Sequence, residues 1–300
     1  MIEGQNGLNW DRWRSVLEAA ERLGFSAVFR SDHFTNGSPP DLDSLELWAS
    51  LTYCASHTTR IEFGSLVTPV TFRHPAVTAR TAAAADDLSG GRLVLGIGAG
   101  WQEREHQAFG IPFPSTAVRF DMLRDYLEVV TSLLRSDEPA SYDGKHFQLH
   151  DAVLLPRPKR PGGPPILIGG IGLKRTLPLV ARYADEWNAI FVPPSRFQEL
   201  SARLDELIDT EGRHPGDVKR SLMTGLVFAE TDAGLQEKLI ARGQSREELA
   251  ERGLVVATSR DLEDRLHSYA DAGVERIMLQ WLDLDDLNCL EGLARAAGLA

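Results

Sequence analysis

Short apolar runs alternate with longer segments whose apolar residues recur at helical spacing, and the alternation repeats about eight times along the chain. Phe25 to Arg30, Ile61 to Val67, Leu93 to Gly100, Ile166 to Ile168, Trp187 to Val192, Leu222 to Phe228 and Arg276 to Trp281 read as strands. Met1 to Gln5 reads as the tail of another. Asn9 caps a helix with Trp10, Trp13, Leu17 and Ala20 on one face, and Gly24 ends it. A second helix starts from about Leu45, and Pro75 takes the first position of an alanine-rich third. A longer helix carries Val118, Met122, Tyr126, Val129 and Leu133 on one face. Strands separated by helical crossovers must run parallel, so the expected fold is α/β, a TIM (β/α)8 barrel in one domain over residues 1–300.

Two stretches interrupt the rhythm. Residues from about 137 to 165, after the fourth strand, read as a small hairpin around Asp143-Gly144 and an extended loop with five prolines from Pro156 to Pro165. A charged helical stretch over roughly 232–252 follows the seventh strand, before a helix over 261–273.

The fourth strand carries Gly96, Gly98 and Gly100 along one face and leads into Trp101. Glycine weakens a strand interior unless something must come close to the backbone, so a flat ligand or another backbone is expected against that face. A dinucleotide fingerprint would need its glycines in the turn that opens a helix, and these lie within the strand. Barrel sites are built by loops at the carboxyl ends of the strands. Asp32-His33, Thr68 to His74, Gly100 to His106 and Gly169 to Lys174 all fall there.

The formal net charge of −11 argues against a nucleic-acid or anionic-membrane partner, without excluding a local basic pocket. The apolar runs are too short to span a bilayer and no secretory leader is visible, which reads as a cytoplasmic protein. Cys54 and Cys289 lie far apart without metal-ligand spacing, so neither a disulfide framework nor a metal site is expected.

Ser31-Asp32-His33, Leu66-Val67-Thr68-Pro69 with Arg73-His74-Pro75, Ser89-Gly90-Gly91-Arg92, Gly98-Ala99-Gly100-Trp101 and Ile168-Gly169-Gly170 occur in this order. With them the chain resembles the bacterial-luciferase-like barrel superfamily, and most of all its branch of oxidoreductases dependent on the deazaflavin coenzyme F420. The resemblance implies a homodimer or larger homo-oligomer with F420 across the barrel mouth, transferring a hydride between the deazaflavin ring and a small organic substrate. It also implies a non-prolyl cis peptide at Leu66–Val67, in a bulge pressed against the ring, with the Thr68 hydroxyl near the ring's polar edge. Relatives have a longer first strand, so Met1 reads as an internal or truncated start. In the branch resembling sugar-phosphate dehydrogenases, a tryptophan follows the Asp-His pair and a glutamate follows the last glycine of the fourth strand. Here Thr35-Asn36-Gly37-Ser38 and Trp101 hold those places, so that substrate is not assigned. The alternatives are an FMN-dependent monooxygenase on the same barrel and a non-catalytic F420-binding protein.

Hydride transfer needs a flat ring against a dry wall and an acid or base wherever a proton moves with the hydride. His33 is the candidate for that group, or else a histidine that only ties its own loop. Asp32 is expected to orient the cofactor or His33. Glu103 and His106 have helical spacing for a second acid–base pair, or for a solvated helix start. Leu66, Val67, Thr68, Gly98, Gly100 and Trp101 are expected around the ring. Gly169-Gly170-Ile171-Gly172 before a helix, with Lys174 and Arg175, offers backbone N–H groups and positive charge to the coenzyme's phosphate. Arg73, His74, Arg157, Lys159 and Arg160 could meet its polyglutamate tail, although each also reads as ordinary surface charge.

Overall fold

The computed structural model describes residues 1–299. The first half of the barrel contains α1 (Trp10–Arg22), β1 (Ala27–Arg30), α2 (Leu47–His57), β2 (Glu62–Ser65), β3 (Thr68–Pro69), α3 (Pro75–Ser89) and β4 (Leu93–Gly98). An excursion follows, with α4 (Glu103–Ala108), α5 (Thr116–Arg135) and an antiparallel hairpin of β5 (Ala140–Asp143) and β6 (Gln148–Ala152). The second half contains β7 (Ile166–Gly169), α6 (Thr176–Tyr183), β8 (Glu186–Ile190), α7 (Pro194–Thr210) and β9 (Lys219–Ala229). It ends with α8 (Asp232–Arg242), α9 (Arg246–Glu251), β10 (Val255–Thr258), α10 (Leu262–Asp271), β11 (Arg276–Gln280) and α11 (Leu287–Ala296).

Parallel pairing runs β1-β2-β4-β7-β8-β9-β11, and Ile2 closes the ring by bridging Arg30 on one side and Trp281 on the other. The strand expected over Met1 to Gln5 is thus a single bridging residue. Beneath it, between β1 and β11, a cavity of about 480 Å³ opens at the floor of the barrel, lined by Ala20, Phe25, Glu62, Ile277 and Leu290 among others. It lies at the opposite end from the loops that carry the candidate chemistry.

Several elements differ from the expectation. β9 is longer, because its first half pairs with β11 and its second half with the extra strand β10. β10 follows α9 within four residues and is buried throughout, so its short apolar run carried no period to read. The apolar face of α1 is Trp13, Val16, Leu17 and Ala20, whereas Trp10 is partly exposed and packs against Tyr53. On α5 the buried positions are Leu123, Tyr126, Leu127, Val129, Val130, Leu133 and Leu134, with Val118 and Met122 at the margin.

The strand period sorts side chains between two cores. On β4, Leu93, Leu95 and Ile97 point outward to the helices, while Val94 joins Phe29, Leu66, Leu167 and Met278 in the barrel lumen. Gly96 and Gly98 therefore face the lumen above Val94. Outside, Ala79, Ala82, Ala83 and Ala85 of α3 are buried and let the helix lie close to its neighbours. Gly90 ends α3 at φ 71°, a left-handed conformation that glycine adopts without Cβ strain, and turns the chain into β4.

Beneath the mouth, Arg30 anchors the end of β1. It is fully buried, donates from Nη2 to the Leu45 carbonyl at 2.9 Å and from Nη1 to Ser50, and lies over the Trp13 ring. Burial lowers its pKa to about 10. The arginine ties the strand end that carries Asp32 and His33 to α1 and α2.

Candidate active site

Asp32 and His33 leave the carboxyl end of β1 in opposite directions. The Asp32 carboxylate is buried and accepts from the Thr68 hydroxyl and from Arg73 Nη1, with Arg73 Nη2 at 3.2 Å from its second oxygen. Nη2 also donates to Glu46 at 2.7 Å. Burial pushes the Asp32 carboxyl above the ordinary aspartate range, with Arg73 and Thr68 acting against the shift. On the arginine, burial opposes the charge, but Asp32 and Glu46 outweigh it and raise the pKa. Asp32 therefore fixes the loop after β3 to the end of β1. It touches neither His33 nor the open mouth, so the expected orienting of His33 is not among its contacts.

His33 has a different partner. Its Nδ1 lies 2.8 Å from Glu105 Oε1, and Glu105 Oε2 accepts from the Phe34 backbone N–H at 2.9 Å. Glu105 is 1% exposed. A carboxylate accepts, so the proton is assigned to Nδ1, and Nε2 has no hydrogen-bond partner among the described residues. Burial lowers the histidine's pKa, but the hydrogen bond and charge of Glu105 outweigh it, and the net shift is upward. The Trp101 ring stands edge-on to the imidazole, with centroids 5.3 Å apart.

Glu103 and His106 do not form a pair. Glu103 is exposed and accepts from Gln107 at 2.9 Å, whereas buried His106 donates from Nδ1 to the Gln102 carbonyl and meets the Thr71 hydroxyl through Nε2, each at 2.7 Å. The carboxylate that meets His33 is the buried Glu105, which the spacing argument passed over. Gln102, Glu105 and His106 share one face of the turn and Glu103 lies on the other, a pattern that the spacing of a six-residue helix carries only faintly.

The bare face of β4 is filled by the protein itself. The Leu66–Val67 peptide is cis, as the resemblance implied, and the Val67 side chain drops between three glycines. A Cβ at Gly98 would stand 2.5 Å from Val67 Cγ2, one at Gly169 3.3 Å from Cγ1, and one at Gly96 2.0 Å from the Ser65 carbonyl oxygen. Gly100, at φ 77°, lies against Pro69 and Thr71. Gly98, Gly100 and Gly169 therefore accommodate another part of the chain, which is one of the two expected occupants. Val67 is half-buried and Leu66 sits in the lumen below it, so Val67 is the surface that a ring at the mouth would meet.

At the end of β7, Gly170 is held by its own N–H to the Asn188 carbonyl at 2.9 Å and by the Trp187 indole on its oxygen at 2.8 Å. Beyond it, the backbone N–H groups of Ile171, Gly172, Leu173, Lys174 and Arg175 have no acceptor among the described residues. No side chain caps α6, and Gly172, Lys174 and Arg175 are exposed. Five consecutive free backbone N–H groups thus precede α6 beside exposed Lys174, while the Arg175 guanidinium lies over the Phe120 ring, 5.6 Å from its centroid. The basic residues of the proline-rich loop are elsewhere: Arg160 pairs at 2.9 Å with Asp86, beneath the barrel, and Arg157 pairs with Asp137. Arg73 is held by Asp32, and His74 caps α3.

A parallel α/β barrel with its polar and glycine-lined loops at the carboxyl ends of the strands is the luciferase-like architecture. The chain belongs to the luciferase-like monooxygenase family, which matches residues 2–284. Among curated relatives it is 31% identical over 221 residues to an F420-dependent glucose-6-phosphate dehydrogenase of Kineococcus radiotolerans, covering 71% of this chain and 63% of the relative. It is likewise 31% identical over 218 residues to the 4-hydroxyprotoasukamycin monooxygenase of Streptomyces nodosus subsp. asukaensis, covering 72% of this chain and 57% of that one. In both cases the match spans less than two thirds of the relative. Among solved structures, an F420-dependent secondary alcohol dehydrogenase in complex with an F420–acetone adduct superposes with a TM-score of 0.82, over 99% of this chain and 98% of that one. At 21% identity, that likeness concerns the fold. No helix among the described residues is long and apolar enough to cross a membrane.

Proposed function

We propose that the protein is an F420-dependent oxidoreductase acting on a small organic alcohol or carbonyl compound at the barrel mouth. The observation that carries this reading is the His33–Glu105 pair at the end of β1, supported by half-buried Val67 between β2 and β3 and by the free backbone N–H groups after β7. Those N–H groups form an anion cradle that fits the coenzyme's phosphate, and Val67 fits one face of a flat ring. When bound, F420 supplies a carbon that accepts or gives a hydride.

The protein's own residues do the rest. Ile171 to Arg175 hold the phosphate through backbone N–H groups, and Lys174 and Arg175 add charge. Val67 backs the ring and excludes water from that face. Glu105 keeps the proton of His33 on Nδ1, so that Nε2 takes a proton from a substrate hydroxyl in one direction and returns it in the other. Asp32 and Arg73 keep Thr68 and the β3 loop in place. The resemblance further implies a homodimer or larger homo-oligomer, which sedimentation would read.

A second reading has its own support, because one relative is named a monooxygenase. FMN also has a phosphate and a flat ring, so the same cradle would serve. Oxygen separates the two. Under anaerobic conditions, reduced F420 should be reoxidised by the protein with a carbonyl substrate. Activity that needs reduced FMN and oxygen would establish the monooxygenase instead.

A further inference from the structure

We infer that this mouth admits an uncharged substrate with an apolar body and turns away phosphorylated or carboxylated compounds. The inference deepens the proposed function and rests on it in placing the substrate at the mouth.

Large apolar side chains are exposed at five strand ends: Leu42 after β1, Trp101 after β4, Leu173 after β7, Phe191 after β8 and Leu282 after β11. All five lie on loops at the carboxyl end of the barrel, the end where barrel sites are built. Phe191 adds a second observation. It is 40% exposed and sits at φ 48°, a left-handed conformation unusual for an aromatic residue. Its N–H is fixed to the Met223 carbonyl at 3.0 Å, and its ring passes over Gly225, where a Cβ would come within 3.4 Å of Cε1. Backbone held in a sparsely populated region is often found at ligand-contacting positions.

Charge points the same way. Among the described residues, the loops after the barrel strands hold Arg73, Arg104, Lys174 and Arg175, with Arg260 beyond β10. Arg73 is taken by Asp32 and Glu46, Arg104 by Asp41 at 2.6 Å, and Arg260 by Asp232 at 3.8 Å. Lys174 and Arg175 belong to the anion cradle. The seam side carries Glu3, hydrogen-bonded by Gln5 and Gln280, and Asp283 and Asp286 after β11, whereas Asp285 is paired with Arg12 at 2.5 Å. An anionic group on the substrate would be desolvated beside Glu3 and Asp283, with Arg12 already held by Asp285 and so not free to offset the cost. The sugar-phosphate activity named for relatives of this chain is therefore not the activity expected here.

The test uses isothermal titration of the whole protein, with and without oxidised F420, against 2-alkanones of increasing length and against glucose 6-phosphate. A ketone cannot give a hydride to the oxidised coenzyme, so its complex accumulates. The ketones should bind saturably and roughly three- to fourfold tighter per added methylene until the rim is filled, with no saturable heat from the sugar phosphate once F420 fills the phosphate cradle. Leu282→Lys should weaken the longer ketones and leave the shortest nearly unchanged. Tighter binding of glucose 6-phosphate than of any ketone to the F420-loaded protein, or no ketone binding in either condition, would overturn the inference. A separate F420 titration isolates the underlying reading: ketone binding without F420 binding would remove the cofactor and leave the substrate class standing.

Discussion

His33 and Glu105 are 72 residues apart in sequence and meet at 2.8 Å, with the carboxylate buried and the second imidazole nitrogen without a partner among the described residues. The folded-state pKa of His33 is raised, so the pair stabilises the fold fully below the unfolded value of about 6.5 and loses that contribution as pH rises through the folded pKa. Glu105→Gln should remove this window and let burial drive the His33 pKa below its ordinary value. NMR titration of the His33 ring, with urea unfolding on both sides of the window, checks the direction. An unmoved His33 titration in the variant would show that the pair is not coupled.

His33→Ala should lower turnover about 10²–10⁴-fold on any accepted substrate and leave cofactor affinity nearly intact. The free nitrogen is placed for the substrate's proton, not for the phosphate cradle. Equal losses in turnover and cofactor affinity would assign His33 a binding role.

Arg73 should be a stability residue first. Arg73→Met leaves the Asp32 carboxylate buried without its cation, at a cost of about 3–5 kcal/mol near neutral pH. The Asp32 pKa, already raised by burial, should rise further. The variant should then recover stability as the pH falls through that raised value, because the protonated carboxyl needs no counter-ion. Urea unfolding across pH reads this, and a loss independent of pH would contradict it.

The glycines around Val67 separate two kinds of crowding. Gly98→Ala puts its Cβ against the Val67 side chain, so adding Val67→Ala should restore much of a loss of about 1–3 kcal/mol. Gly96→Ala meets the Ser65 carbonyl, which no side-chain change removes, so the same second substitution should restore little. Thermal unfolding of the two single and two double variants gives the comparison.

Much of the barrel is legible in the sequence because its strands are short apolar runs bounded by turn residues and its helices carry apolar stripes. Asp32, His33 and Val67 could be located because each follows directly from a strand end. Glu105 could not, since its importance depends on a contact across 72 residues and a short helix turning one face inward. The glycine face was legible as a place of close approach, but which group approached it depended on the path of the Ser65–Thr68 bulge. The charge balance of the mouth was equally hidden, because whether Arg73 or Arg104 is free depends on which carboxylates the fold brings beside them.

Lys174 and Arg175 are exposed, and their joint replacement by alanine should barely affect the melting temperature. It should weaken F420 binding roughly 10- to 100-fold, with a smaller difference at high salt. Unchanged affinity would place the phosphate elsewhere.

Side-by-side fluorescence titration of the purified protein with F420 and FMN tests the proposed function most directly. Saturable, tight F420 binding with weak FMN binding, and loss of the F420 affinity in the Lys174→Ala/Arg175→Ala variant, is the result expected here. Tight FMN binding with none of F420 would contradict it.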